Sequence, residues 1–194
     1  MWLKENPPIA VGQSDTNGAL AQVLGQSYIF RGGVSSTSAV VCVRGYKLVY
    51  NNSGTTLAAG STLIEERTSG VRNGNVNTTV VAAHPDGAGI VPADFGSNTV
   101  AAASYFLMQT SGPGKARFAS TAATYIVSLT STASLALGTA TTAGYAQLVS
   151  IATTTATLAD LSLYLGATMA VMTNSAVVTA AGQLGDVDLR IARL

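Results

Sequence analysis

The chain carries a single cysteine and a single histidine, so a Cys–His nucleophilic pair has only one candidate, Cys42 with His84. Cys42 lies in Val40-Val41-Cys42-Val43, where a free cysteine behaves as a small buried hydrophobe. His84 heads His84-Pro85-Asp86-Gly87, a sequence suited to a turn. Both residues are expected to be structural. A serine triad would need the same His84, and no Gly-x-Ser-x-Gly elbow holds a nucleophile for it. Zinc requires clustered Cys, His or carboxylate ligands. One His, one Cys and no acidic pair at helical ligand spacing leave only a site shared between subunits at a symmetry axis.

Other motifs fail on their chemistry. Ser111-Gly112-Pro113-Gly114-Lys115-Ala116 ends like a phosphate loop, yet Gln109 stands where the first glycine belongs and Ala116 has no hydroxyl for magnesium. A hairpin turn is expected there. Asp15-Thr16-Asn17-Gly18 begins like a calcium loop but has no acidic residue at the closing position, and reads as a plain loop. Asn51-Asn52-Ser53 and Asn77-Thr78-Thr79 match glycosylation acceptors; with no secretory signal in view they read as chance matches. Asp186 and Asp188 share a polar strand face with Arg190, which predicts cross-strand or intersubunit ion pairs rather than paired-carboxylate catalysis. The expectation is a protein that is not an enzyme and holds no cofactor or metal.

The elements that position these residues follow from composition and periodicity. The 194 residues include 31 Ala, 24 Thr, 20 Gly and 18 Ser, and only 10% are charged, against about 25% in an average soluble domain. Fourteen of the nineteen charges precede Ala119, and from Ala119 through Gly185 the only charge is Asp160. So uncharged a surface invites self-association unless partners cover it. A net charge of +1 provides no basic field for nucleic acid. The most apolar window, Leu161 to Val178, is too rich in Ser, Thr and Asn to span a membrane. The start lacks the apolar core of a signal peptide, which predicts synthesis in the cytoplasm.

Residues 1–27 read as an extended N-terminal arm, with Pro7 and Pro8 disfavouring helix and a short helical turn over Ala19 to Gln26. The arm either folds back on the body or docks onto another subunit. Residues 28–194 form a β-rich body, with possible subregions at 28–118 and 119–194. Strands are predicted at Val40–Val43, Tyr46–Tyr50 (half-buried), Thr62–Ile64, Val76–Ala82, Val100–Met108, Tyr125–Leu129, Tyr145–Ile151 and Val187–Ile191. Leu158, Leu161, Leu165, Met169 and Met172 form a helical stripe, with two short strands as the alternative. The fold class is therefore mainly β, a compact sandwich or barrel-like subunit with at most one or two short helices.

The stretch from Tyr46-Lys47-Leu48-Val49-Tyr50-Asn51-Asn52-Ser53-Gly54 through Thr55-Thr56-Leu57-Ala58-Ala59-Gly60-Ser61 resembles a pattern common in tailed-phage virion proteins. There a strand ending in Asn-x-Ser-Gly turns into a small-residue segment and a second strand. Ala101-Ala102-Ala103 and the closing Asp188-Leu189-Arg190-Ile191 also resemble phage capsid decoration, or cement, proteins. The resemblance implies a β-dominated subunit, often trimeric, that binds the outside of an icosahedral shell and clamps neighbouring major capsid proteins. It carries over no functional residue. The arm residues Trp2, Leu3, Pro7, Pro8 and Ile9 are the expected partner interface, because an extended apolar segment adds contact area simply and repetition strengthens weak contacts. A tail or fibre-tip module binding host glycans, and a shell-forming capsid protein, are the alternatives.

Overall fold

Runs of β-branched and alternating residues give the chain its strands. The computed structural model describes residues 6–33, 41–78, 87–118, 133–136, 147–150, 168–172 and 182–190. Among these lie β1 (Ser14–Asp15), β2 (Ser27–Gly33), β3 (Val41–Asn51), β4 (Leu57–Ala58), β5 (Thr62–Thr68) and β6 (Val71–Asn77). There follow β7 (Gly87–Ile90), β8 (Thr99–Val100), β9 (Tyr105–Arg117), β10 (Ala133–Ala136), β11 (Gln147–Ser150), β12 (Thr168–Met172) and β13 (Leu184–Arg190). Two short 3-10 turns, Gly18–Val23 and Ala93–Phe95, are the helical elements of the described residues. The protein is mainly β, as its alternation predicts.

The hydrogen-bond ladders close on themselves. β9 pairs with β7, β7 with β5, β5 with β6, β6 with β3, and β3 returns to β9. Five strands thus form a ring, and β3 with β6 is its one parallel seam. The second half of β9 continues into a separate wing, β13, β12, β10 and β11, paired antiparallel in that order. Inside the ring lie Val49, Leu63, Val76, Phe106 and Met108, each 0% exposed. Leu57 and Val100, paired across β4 and β8, join the same core, and Phe95 meets Phe106 edge-on at 6.3 Å. Each such side chain contributes about 1.5–3 kcal/mol by leaving water.

Alternation along β3 sends Tyr46 and Leu48 to the opposite face, where they pack with Tyr28, Leu107, Ile9 and Leu20. The Tyr46–Tyr50 strand is therefore covered on both sides, not half-buried. The covering comes from the N-terminal segment, which folds back on the body: Ile9 is 8% and Leu20 7% exposed. β1 within it pairs with the start of β9. Burial also pushes the Tyr28 phenol above its ordinary pKa, and its hydroxyl donates to Gln26 Oε1 at 3.2 Å.

Several expectations are corrected. Val43, placed by its β-branched run in a buried strand, is 47% exposed, because β3 runs past the ring at that end. The Val100–Met108 strand is broken at residues 101–104, where Ala103 takes a φ of 56° and Ser104 Oγ donates to the Ala101 carbonyl at 2.7 Å. β6 ends at Asn77, and residues 79–82 of the predicted Val76–Ala82 strand lie outside the described residues. Met169 and Met172, assigned to a helical stripe, lie in strand β12, held between β10 and β13. The rest of that stripe and the Tyr125–Leu129 strand fall outside the described residues.

The parallel seam has only two ladder pairs, Tyr50 with Asn75 and Asn51 with Val76. A buried charge cluster reinforces it. Glu65 on β5, with a side chain 1% exposed, accepts from Lys47 Nζ of β3 at 2.5 and 2.7 Å and from the Gly74 N–H of β6 at 2.9 Å. Arg72 Nη1 of β6 stands 3.8 Å away. Removing the carboxylate leaves Lys47 and Arg72 facing each other in a partly dry site. Glu65→Ala is expected to lower unfolding free energy by about 3–5 kcal/mol, read from urea denaturation, with a loss below 1 kcal/mol counting against the staple.

Candidate functional site

The segment that carries the phage resemblance folds as the end of β3, a turn and β4, and its hub is Asn51. The side chain is fully buried and saturated. Nδ2 donates to the carbonyls of Thr55 and Ala101, both at 2.9 Å, while Oδ1 accepts from Ser53 N at 3.1 Å and Ser53 Oγ at 2.7 Å. Its backbone N–H donates to Ser104 O, and its carbonyl accepts from Ala103 N. Asn-Asn-Ser-Gly is thus a clamp tying the β3–β4 turn to the turn before β9. Gly54, at φ 72°, completes the reversal.

Thr110–Gly114 is not a hairpin. The chain passes through it within β9, changing partner from β3 to β13 at Ser111. Gln109, 1% exposed, makes this possible: Nε2 donates to the carbonyls of Ser111 and Gly112, both at 3.3 Å, and of Pro113 at 2.8 Å. The register against β3 shifts between Gln109 and Ser111, and this one amide gathers the three carbonyls that follow the shift. Gly112 sits at φ 81°, and a Cβ there would run into the Val43 carbonyl.

The bend opens a cavity of about 400 Å³ lined by Arg44, Asp94, Gln109, Gly114, Lys115 and Asp186. Arg44 Nη1 lies 3.7 Å from Asp94 Oδ2, and Lys115 Nζ lies 2.8 Å from Asp186 Oδ1. Asp186 and Lys115 are opposite one another in register, the cross-strand pairing the sequence predicts for Asp186. Both pairs are partly exposed, so they shape the rim more than they stabilise the fold. A second, shallower depression of about 560 Å³ lies where Gly12 and Ser14 meet Asn98 and Thr99.

The remaining candidates are placed as follows. Trp2, Leu3 and His84 lie outside the described residues; Cys42 lies on β3 opposite Gly32. Pro7 is half-buried and Pro8 exposed. Ile9, expected at a partner interface, belongs instead to the chain's own core, because Tyr28 and Leu107 offer it apolar cover. Asp15 Oδ1 accepts from Asn17 N, and Asn17 Oδ1 from Ala19 N, both at 3.0 Å, so the calcium-like sequence is a cap for the first 3-10 turn. Arg117 donates from Nε to Ala59 O at 2.7 Å and from Nη1 to Gly182 O at 3.1 Å, bracketing β4 against the entry to β13. Sequence reasoning missed Gln109, whose role depends on contacts that no spacing reveals.

Two substitutions test this description. Asn51→Asp keeps the acceptor for Ser53 but sets a carboxylate against two carbonyls; a loss of about 2–4 kcal/mol is expected in thermal or urea unfolding, and a neutral effect would contradict the clamp. Gly112→Ala combines a positive φ with a backbone clash, and is expected to abolish soluble expression or to cost about 3 kcal/mol or more; wild-type stability would contradict the bulge.

No protein-family model matches the chain, and no curated protein or solved structure matches it.

Proposed function

We propose that this chain is a structural virion protein that binds the outside of an icosahedral phage capsid, as a homotrimer, and stabilises the shell by bridging neighbouring major capsid proteins. The observation that carries the proposal is the outer part of the wing beyond β13, which carries no charge. No residue of β10, β11 or β12 is charged, and β11, where the described sheet ends, has neither the lysine nor the proline that commonly guards an edge. Alternate positions of a strand fall on opposite faces, so these strands contribute no charge to either. Such a sheet suits cover by neighbouring subunits. The barrel beside it supplies a rigid base, and the resemblance over Tyr46–Ser61 supplies the kind of assembly.

The arm's share of the interface shifts toward its start. Ile9 is anchored in the core, which leaves Trp2, Leu3, Pro7 and Pro8 as the residues to reach a neighbour. Deleting residues 1–5 retains Ile9 and should leave the melting temperature unchanged. The truncated protein is expected to lose co-sedimentation with purified capsids lacking their own copy of this chain. Undiminished co-sedimentation would overturn the role given to the arm.

A further inference from the structure

The cavity at the β9 bend holds a buried group that the fold leaves incomplete. Three carbonyls surround Gln109 Nε2, which fixes the orientation of the amide. Its Oε1 therefore points away from them, and it receives no hydrogen bond from any described residue. The side chain is 1% exposed and lines the cavity together with Gly114. A Cβ added at Gly114 would stand 2.9 Å from that oxygen, so any side chain there would crowd it. A buried acceptor without a donor is costly, and a ligand that supplies the donor is correspondingly favoured.

The rim restricts what that ligand is. It presents two cations and two carboxylates, already paired as Arg44 with Asp94 and Lys115 with Asp186. Their charges cancel, so an anion or a cation gains little by entering and must compete with an existing pair. A hydroxyl group both donates and accepts, and can join such pairs without separating them. Several hydroxyls on one small frame would reach the carboxylates, the cations and the Gln109 oxygen together. The exposed Pro113 ring, also in the lining, offers C–H surface for the frame itself. A volume of about 400 Å³ falls within the range of small-ligand sites.

We propose that this cavity is a binding site for a neutral, hydroxyl-rich ligand of the sugar class, with Gln109 Oε1 as its buried acceptor and the two ion pairs as its rim. The site stands on geometry independent of capsid attachment.

The test is a titration of the full, isotope-labelled chain followed by NMR. Glucose, galactose and N-acetylglucosamine, each to about 100 mM, serve as probes, with sodium acetate and guanidinium chloride as ionic counterparts at low concentration. Saturable shifts are expected at the Gln109 side-chain amide and at the backbone amides of Gly114 and Val187 with at least one sugar. Gly114→Ala, whose methyl covers the oxygen, is expected to abolish them. Because that methyl also meets Ile90 Cδ1 at 3.0 Å and can disturb the bend, Asp94→Ala on the exposed rim is the second variant. It should weaken the interaction about fivefold or more with the fold unchanged. No saturable shift with any sugar, saturation by acetate or guanidinium at the same residues, or undiminished affinity in Asp94→Ala would each overturn the proposal.

Discussion

The parallel seam of the barrel is braced by a carboxylate that is almost wholly out of water. Four of the five strand contacts in the ring are antiparallel, whereas β3 and β6 meet in parallel over two residue pairs. With the β7–β9 contact a single pair, both places are short ladders for a core whose central side chains are completely buried. Glu65 of β5 joins three strands at the parallel seam by taking Lys47 from β3 and the Gly74 N–H and Arg72 from β6. A buried ion cluster is not a cheap source of stability, since desolvation offsets much of the attraction. What it does provide is an all-or-none condition. An open seam strands a charge, so partial closure is disfavoured relative to either end state.

A second constraint falls on β9, which belongs to both the ring and the wing. It passes from one set of partners to the other across a register shift against β3 at Thr110, a local irregularity in the ladder. Gln109 braces it from inside the strand. Asn51 does the same for two turns at the far end of β3, and Arg117 for the approach of β4 to β13. The buried polar side chains of this small-residue protein therefore work mostly on its own backbone. Gln109 differs in having one atom left over, and that atom lies beside a cavity.

Much of the β architecture was legible because it is local. β-branched and alternating residues at Thr62–Ile64 and Val187–Leu189 show strands directly, and Asn-Asn-Ser-Gly shows a turn. Lys115 and Arg117 on one face, with Ala116 and Phe118 buried on the other, follow from period-two alternation. The misreadings share a cause: a distant partner decides the outcome. Gly-Pro-Gly in Thr110–Gly114 is equally compatible with a reversal and a bulge, and the choice rests on Gln109 and on β13, some seventy residues later in the chain. Met169 and Met172 fit a helical spacing, but pairing with β10 and β13 overrides it. Lys47, Glu65 and Arg72 are far apart in sequence, and only ring closure brings them together. Charge depletion after Phe118 was plain in the composition, whereas the wing it belongs to required the ladder.

Under the proposal, the barrel, the uncharged strands β10 to β12 and the start of the chain are parts of a subunit covered by others. Its attachment to the outer surface of a phage shell is the central claim, and a cryo-electron microscopy reconstruction of purified particles tests it most directly. The account predicts density for the barrel outside the shell at sites that bridge adjacent major capsid proteins, with the wing buried against neighbours. Density confined to the tail, or lying within the shell or inside it, would contradict the claim.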